Sequence, residues 1–122
     1  MNLAAGQIVT VDLRDALPKE PGKLRPAVVV EDSDLFGPSY PNVILVPLAE
    51  DPHLAIADLA VEIQPTAENG CPKRCFALAH HVTIASKARI QATPSAISAS
   101  QLSEIRRLIG LAVGLPRSPR AL

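Results

Sequence analysis

Twelve prolines are spread through a chain of 122 residues. Proline lacks a backbone N–H and its ring clashes with the preceding turn, so long helices are excluded from most of the chain. The apolar runs between prolines are short and rich in Val, Ile and Leu, as strands are. Residues 7–13 (QIVTVDL) alternate apolar and polar and predict a strand. Residues 25–32, 42–49, 58–64 and 74–85 predict four more, the last a long strand carrying His80 and His81. Loops are expected at 14–24, 33–41 and 50–57, and a turn at 65–73 with Asn69-Gly70 at its tip.

The period changes near the end. Ser98 and Gln101 have the spacing of a helix-capping box. Leu102, Ile105, Leu108, Ile109, Ala112 and Val113 follow at helical spacing, and Gly114 and Pro116 terminate the pattern. One amphipathic helix of about 15 residues is expected to close the fold. The sequence therefore reads as one mainly β domain over residues 1–115, a small twisted sheet or barrel with a C-terminal helix, and a tail at 116–122.

Aromatic residues make up only 2% of the chain, namely Phe36, Tyr40 and Phe76. Base stacking on aromatic platforms is thus not expected as a main grip. Net charge is zero, but residues 1–72 hold 4 Lys/Arg against 11 Asp/Glu, and residues 73–122 hold 8 against 1. Such asymmetry between halves marks a candidate partner surface. The start of the chain lacks the pattern of a signal peptide, and no apolar run reaches the ~20 residues of a membrane span. A soluble, cytoplasmic protein without membrane contact is the expectation. Cys71 and Cys75 are expected as free thiols, one in a turn and one a small buried hydrophobe. The Cys-x3-Cys spacing does not suit a zinc knuckle, so neither metal nor cofactor is expected.

The order of segments carries a resemblance. G-x-I-V-x-V-D at 6–12 is followed by a polar loop with Glu20, Pro21 and Gly22, then R-P-A-V-V-V at 25–30 and V-I-L-V-P-L at 43–48. Asn69-Gly70 leads to A-L-A-H-H-V-T-I at 77–84, K-A-R-I at 87–90 and the amphipathic helix. Over residues 6–115 the chain resembles the MazF/PemK toxins of bacterial toxin–antitoxin systems. The resemblance implies a twisted SH3-like barrel, a homodimer, metal-independent cleavage of single-stranded RNA, and an antitoxin partner whose disordered tail occupies the RNA groove.

Such cleavage uses the substrate's own 2′-OH as nucleophile. It needs a base, an acid for the leaving 5′-oxygen, and a cation on the phosphorane. Arg25 matches the family's R-P arginine and supplies the cation; a guanidinium stays charged and offers forked donors to phosphate. Glu20 lies where some members carry a catalytic glutamate. His80 and His81 stand where the family commonly has an acidic residue and Gln, and histidine titrates near neutrality. Strand alternation would let only one of them face a groove. Lys19, Lys23, Lys73, Arg74, Lys87 and Arg89 are the expected contacts to the RNA backbone.

The family usually has Thr or Ser after V-P-hydrophobic, where its hydroxyl holds the scissile phosphate. Here that position is Ala49. The departure motivates a second reading, a binding or regulatory homologue with impaired catalysis. A gyrase poison of the CcdB type shares the fold but relies on an aromatic residue near its C-terminus, and this chain ends PRSPRAL.

Overall fold

The structure is a computed structural model and describes residues 2–12 and 24–116. Among the described residues seven strands form one antiparallel sheet: β1 (Gln7–Asp12), β2 (Leu24–Val29), β3 (Asn42–Ala49), β4 (Ala60–Ile63), β5 (Cys75–Leu78), β6 (Thr83–Ser86) and β7 (Ile90–Ala96). Their order is β4-β5-β3-β2-β1-β7, with β6 also paired to β3. Among the described residues the ladder is open, with β4 and β7 as its ends, so of the expected twisted sheet or barrel it is the unclosed sheet that is seen.

The long strand expected at 74–85 is two strands. Leu48 pairs with Ala77 in β5, whereas Asn42 pairs with Ser86 in β6. The register along β3 thus slips by three residues, and Ala79–His81 take up the slack as a 3-10 turn. β7 is a strand that local pattern did not signal. Its Pro94 is tolerated because β7 is an end strand among the described residues, paired there only with β1. Thr93 Oγ1 donates to the Ile8 carbonyl, and Gln7 Nε2 donates to the Thr93 carbonyl at 2.9 Å, across the irregular β1–β7 register.

The sheet has an apolar cluster on each face. Ile8, Val28, Val46, Leu48, Cys75 and Ala77 lie in the first, beneath helix α1 (Ala99–Ala112), which adds the fully buried Ile105. Val9, Val11, Ala27, Val29, Val43 and Leu45 belong to the second. These alternate along each strand with the first set, as a two-faced sheet requires. The capping box forms as the sequence implies: the Gln101 N–H donates to Ser98 Oγ, and the Ser98 N–H donates to Gln101 Oε1. Gly114 adopts φ +94° just past the last turn, which favours glycine there. Arg106 fastens the helix to the sheet, donating to the Val30 and Glu31 carbonyls at 3.0 and 2.9 Å.

The Asn69-Gly70 turn is held from inside. Asn69 is buried; its Oδ1 accepts from the Thr66 and Cys71 N–H groups, and its Nδ2 donates to the Gln64 carbonyl. Gly70 supplies the positive φ of +62°.

Candidate functional site

Arg25 is the second residue of β2 and is exposed. It pairs with Val11 on one side. On the other side the β2–β3 ladder runs from Val29↔Leu45 to Ala27↔Pro47. Continued by two residues, that register sets Ala49 across from Arg25. Ala49 pairs in turn with Phe76, and Phe76 with Glu62. Ala49, Phe76 and Glu62 therefore form one row across three strands, and Arg25 lies on the extension of that row into β2. By alternation the row extends the face of Ala27 and Val29 to the point where the apolar cluster gives way to solvent.

Arg74 joins this row. Its guanidinium lies 5.4 Å from the centroid of the Phe76 ring and 4.0 Å from Glu62 Oε2. Gln64 Nε2 donates to the same carboxylate oxygen. Arg74 thus covers the half-buried Phe76 beside Ala49, and the exposed Arg25 lies on the register that runs toward the other side of Ala49. Guanidinium groups bind phosphate oxygens through paired donors, so this strip has the chemistry of an anion or nucleic-acid surface.

The opposite face at this end holds a cavity of about 180 Å3. Pro26, Leu48, Glu50, Cys71, Lys73 and Cys75 are among its lining residues. Lys73 Nζ lies 3.5 Å from Glu50 Oε1. Lys73 and Arg74, adjacent in sequence, therefore serve opposite sides of the sheet end. Arg89 immediately precedes Ile90, which pairs with Val11, the β1 neighbour of Arg25. Lys87 lies elsewhere: its Nζ donates to the Pro38 carbonyl at 3.3 Å, and it lines a separate hollow with Glu31 and Ser33. Glu20, Lys19 and Lys23 lie outside the described residues.

His80 and His81 occupy the 3-10 turn, four and five residues beyond Phe76. The turn packs against α1 and β3. Alternation on a strand does not separate the two rings, because they are not on a strand. They meet edge to face with centroids 4.3 Å apart. His80 Nδ1 is buried and has no hydrogen-bond partner among the described residues. The His81 side has an exposed surface, and partial burial and the neighbouring His80 hold its pKa below the usual 6.5. The structure thus places Arg74 over Phe76, the strand partner of Ala49, sets Arg25 on the continuation of the β2–β3 register toward Ala49, and puts the histidine pair on a different element.

Phe76 and Glu62 were not singled out by sequence reasoning. Nothing local marks them, since their place beside Ala49 depends on pairing between strands distant in sequence.

A family model described as PemK-like, MazF-like toxin of type II toxin–antitoxin system matches residues 4–113. A search of curated protein sequences gives no match. Among solved structures, MazF from Deinococcus radiodurans is similar with a TM-score of 0.72 at 20% identity, covering 94% of this chain and 99% of that one. The toxin MazF-mt6 from Mycobacterium tuberculosis gives 0.70 at 18% identity, covering 90% and 98%. An endoribonuclease in complex with its cognate antitoxin, from a mycobacterial species, gives 0.68 at 18% identity, covering 95% and 98%. These likenesses establish the fold, and the match over residues 4–113 establishes that the chain belongs to the PemK-like, MazF-like toxin family of type II toxin–antitoxin systems.

Proposed function

We propose that this toxin is a metal-independent endoribonuclease acting on single-stranded RNA, and that it is held in check by a cognate antitoxin. The observation that carries the reading is the exposed Arg74 guanidinium over the half-buried Phe76 ring, which pairs with Ala49, with the exposed Arg25 on the neighbouring strand β2. In this reading the scissile phosphate sits over Ala49. Arg25 binds its non-bridging oxygens and stabilises the charge that grows on them as the 2′-OH attacks. Arg74 neutralises a neighbouring phosphate, and the half-buried Phe76 face supports the adjoining sugar or base. The leaving group is the 5′-oxygen, and the products are a 2′,3′-cyclic phosphate and a 5′-hydroxyl.

Glu20, His80 and His81 are the groups proposed for proton transfer. His81 is the exposed member of the pair, and its lowered pKa leaves the ring neutral, and so able to accept a proton, at pH 7. Lys19, Lys23, Lys73, Lys87 and Arg89 add backbone contacts. The working form is proposed to be a cytoplasmic homodimer; Ile84 on β6 and Val113 and Leu115 after α1 are exposed apolar residues available to an interface.

Ala49 favours a second reading, a homologue that binds RNA or antitoxin with little catalysis, because a methyl group offers the phosphate no donor. The test is Arg25→Ala. Cleavage and growth arrest should fall by about 10³–10⁵, the range known for arginines at phosphoryl groups, with an unchanged circular dichroism spectrum. A variant as active as the wild type would remove Arg25 from the mechanism.

A further inference from the structure

Cys71 and Cys75 have no part in the proposed cleavage, yet the fold places them together. Their sulfurs are 3.9 Å apart at the base of the five-residue segment Cys71-Pro72-Lys73-Arg74-Cys75. Cys75 is fixed in β5 opposite Ile63 and is only 5% exposed. Cys71 is half-exposed in the turn, where its N–H donates to Asn69 Oδ1 at 2.9 Å. Both border the cavity of about 180 Å3, which gives a small oxidant a place to approach the sulfurs. Closing from 3.9 Å to a bonding distance of about 2.05 Å is a shift that rotation of the more exposed side chain can supply.

We propose that Cys71 and Cys75 are a redox-convertible pair that hydroperoxides oxidise to an intramolecular disulfide, closing the base of the segment that carries Lys73 and Arg74. The chemistry balances in two steps. The Cys71 thiolate attacks the peroxide; an S–O bond forms, the O–O bond breaks, and the departing oxide takes a proton to leave as water or alcohol. Cys75 Sγ then attacks the Cys71 sulfenic acid. The S–S bond forms, the S–O bond breaks, and the Cys75 proton leaves with hydroxide as water. The two thiols supply the two electrons that reduce the peroxide.

The order of attack follows from the surroundings. Burial first, then the adjacent Cys71 and the Glu50 carboxylate, push the Cys75 thiol up to about 12. Cys75 is therefore a poor first nucleophile but is well placed to resolve a sulfenic acid on Cys71. Lys73 and Arg74 lie within the closed loop, so the bond would fix the turn that orients them toward Glu50 and Phe76. Any effect on RNA rests on the function proposed above; formation of the bond does not.

The test treats the full-length reduced protein with one equivalent of hydrogen peroxide and reads thiol content and intact mass. The expected result is loss of both thiols and of the mass of two hydrogens, at monomer size on a non-reducing gel, reversed by dithiothreitol. Cys75→Ala should instead leave Cys71 as a sulfenic acid that dimedone traps, and Cys71→Ala should react with neither reagent. Retention of both thiols by the wild type, or oxygen addition without loss of the two hydrogens, would overturn the proposal. The readout contains no RNA, so failure of the nuclease reading leaves it intact.

Discussion

Replacing Ala49 by threonine tests whether the site lacks a single donor. Ala49 ends β3, half-buried, paired with Phe76 on one side and facing the continuation of the β2 register toward Arg25 on the other. Side chains directly opposite on neighbouring strands stand about 5 Å apart at Cβ, so a hydroxyl at position 49 and the Arg25 guanidinium can grip the same phosphate. Threonine is β-branched and suits a strand, so the substitution should leave stability within about 0.5 kcal/mol. One preorganised donor at a developing oxyanion contributes roughly 10²–10³ in rate, or about 2.7–4 kcal/mol. Single-turnover cleavage of a fluorogenic single-stranded RNA should therefore accelerate by about that factor, while Ala49→Val, of similar shape without the hydroxyl, should not. Equal rates for Ala49→Thr and the wild type, in a background where Arg25→Ala still abolishes cleavage, would refute the placement of the phosphate over position 49.

Two further outcomes follow from charge and titration. Affinity for single-stranded RNA should fall steeply between low and physiological salt, and Arg74→Gln should make that dependence shallower by about one phosphate contact; binding that is flat with salt would contradict the Arg25–Arg74 strip. If His81 accepts the proton, the cleavage rate should rise with pH through an apparent pKa below 6.5 and then level off, because only the neutral ring is a base and its pKa is lowered. His81→Gln should remove that acid limb, and a limb that persists would assign the base elsewhere.

The elements that local chemistry specifies were legible in the sequence. The Ser98–Gln101 box, the helical spacing through Val113, the alternation in Gln7–Asp12 and the aliphatic, β-branched run of Asn42–Ala49 each involve residues a few positions apart. β7 was not legible, because Pro94 interrupts it and an exposed end strand has no apolar alternation to display. The break at Ala79–His81 carries no Gly or Pro; it arises from two stretches of chain pairing with one strand in different registers. The same holds for the site. Arg25 was readable from the R-P motif, but the grouping of Phe76, Glu62 and Arg74 beside Ala49 is set by pairing between strands distant in sequence. The pairing of the two histidine rings likewise depended on the turn, which a strand reading excludes.

The central claim is RNA cleavage without metal by 2′-OH attack at the Arg25 row. Its most direct measurement is incubation of the purified toxin with single-stranded RNA in EDTA, followed by mapping of both new ends. Internal cuts bearing 2′,3′-cyclic phosphate and 5′-hydroxyl ends are expected, and are expected to be absent with Arg25→Ala. Ends bearing 5′-phosphate, or no cuts by either the wild type or Ala49→Thr, would contradict the claim and leave the binding homologue as the better description.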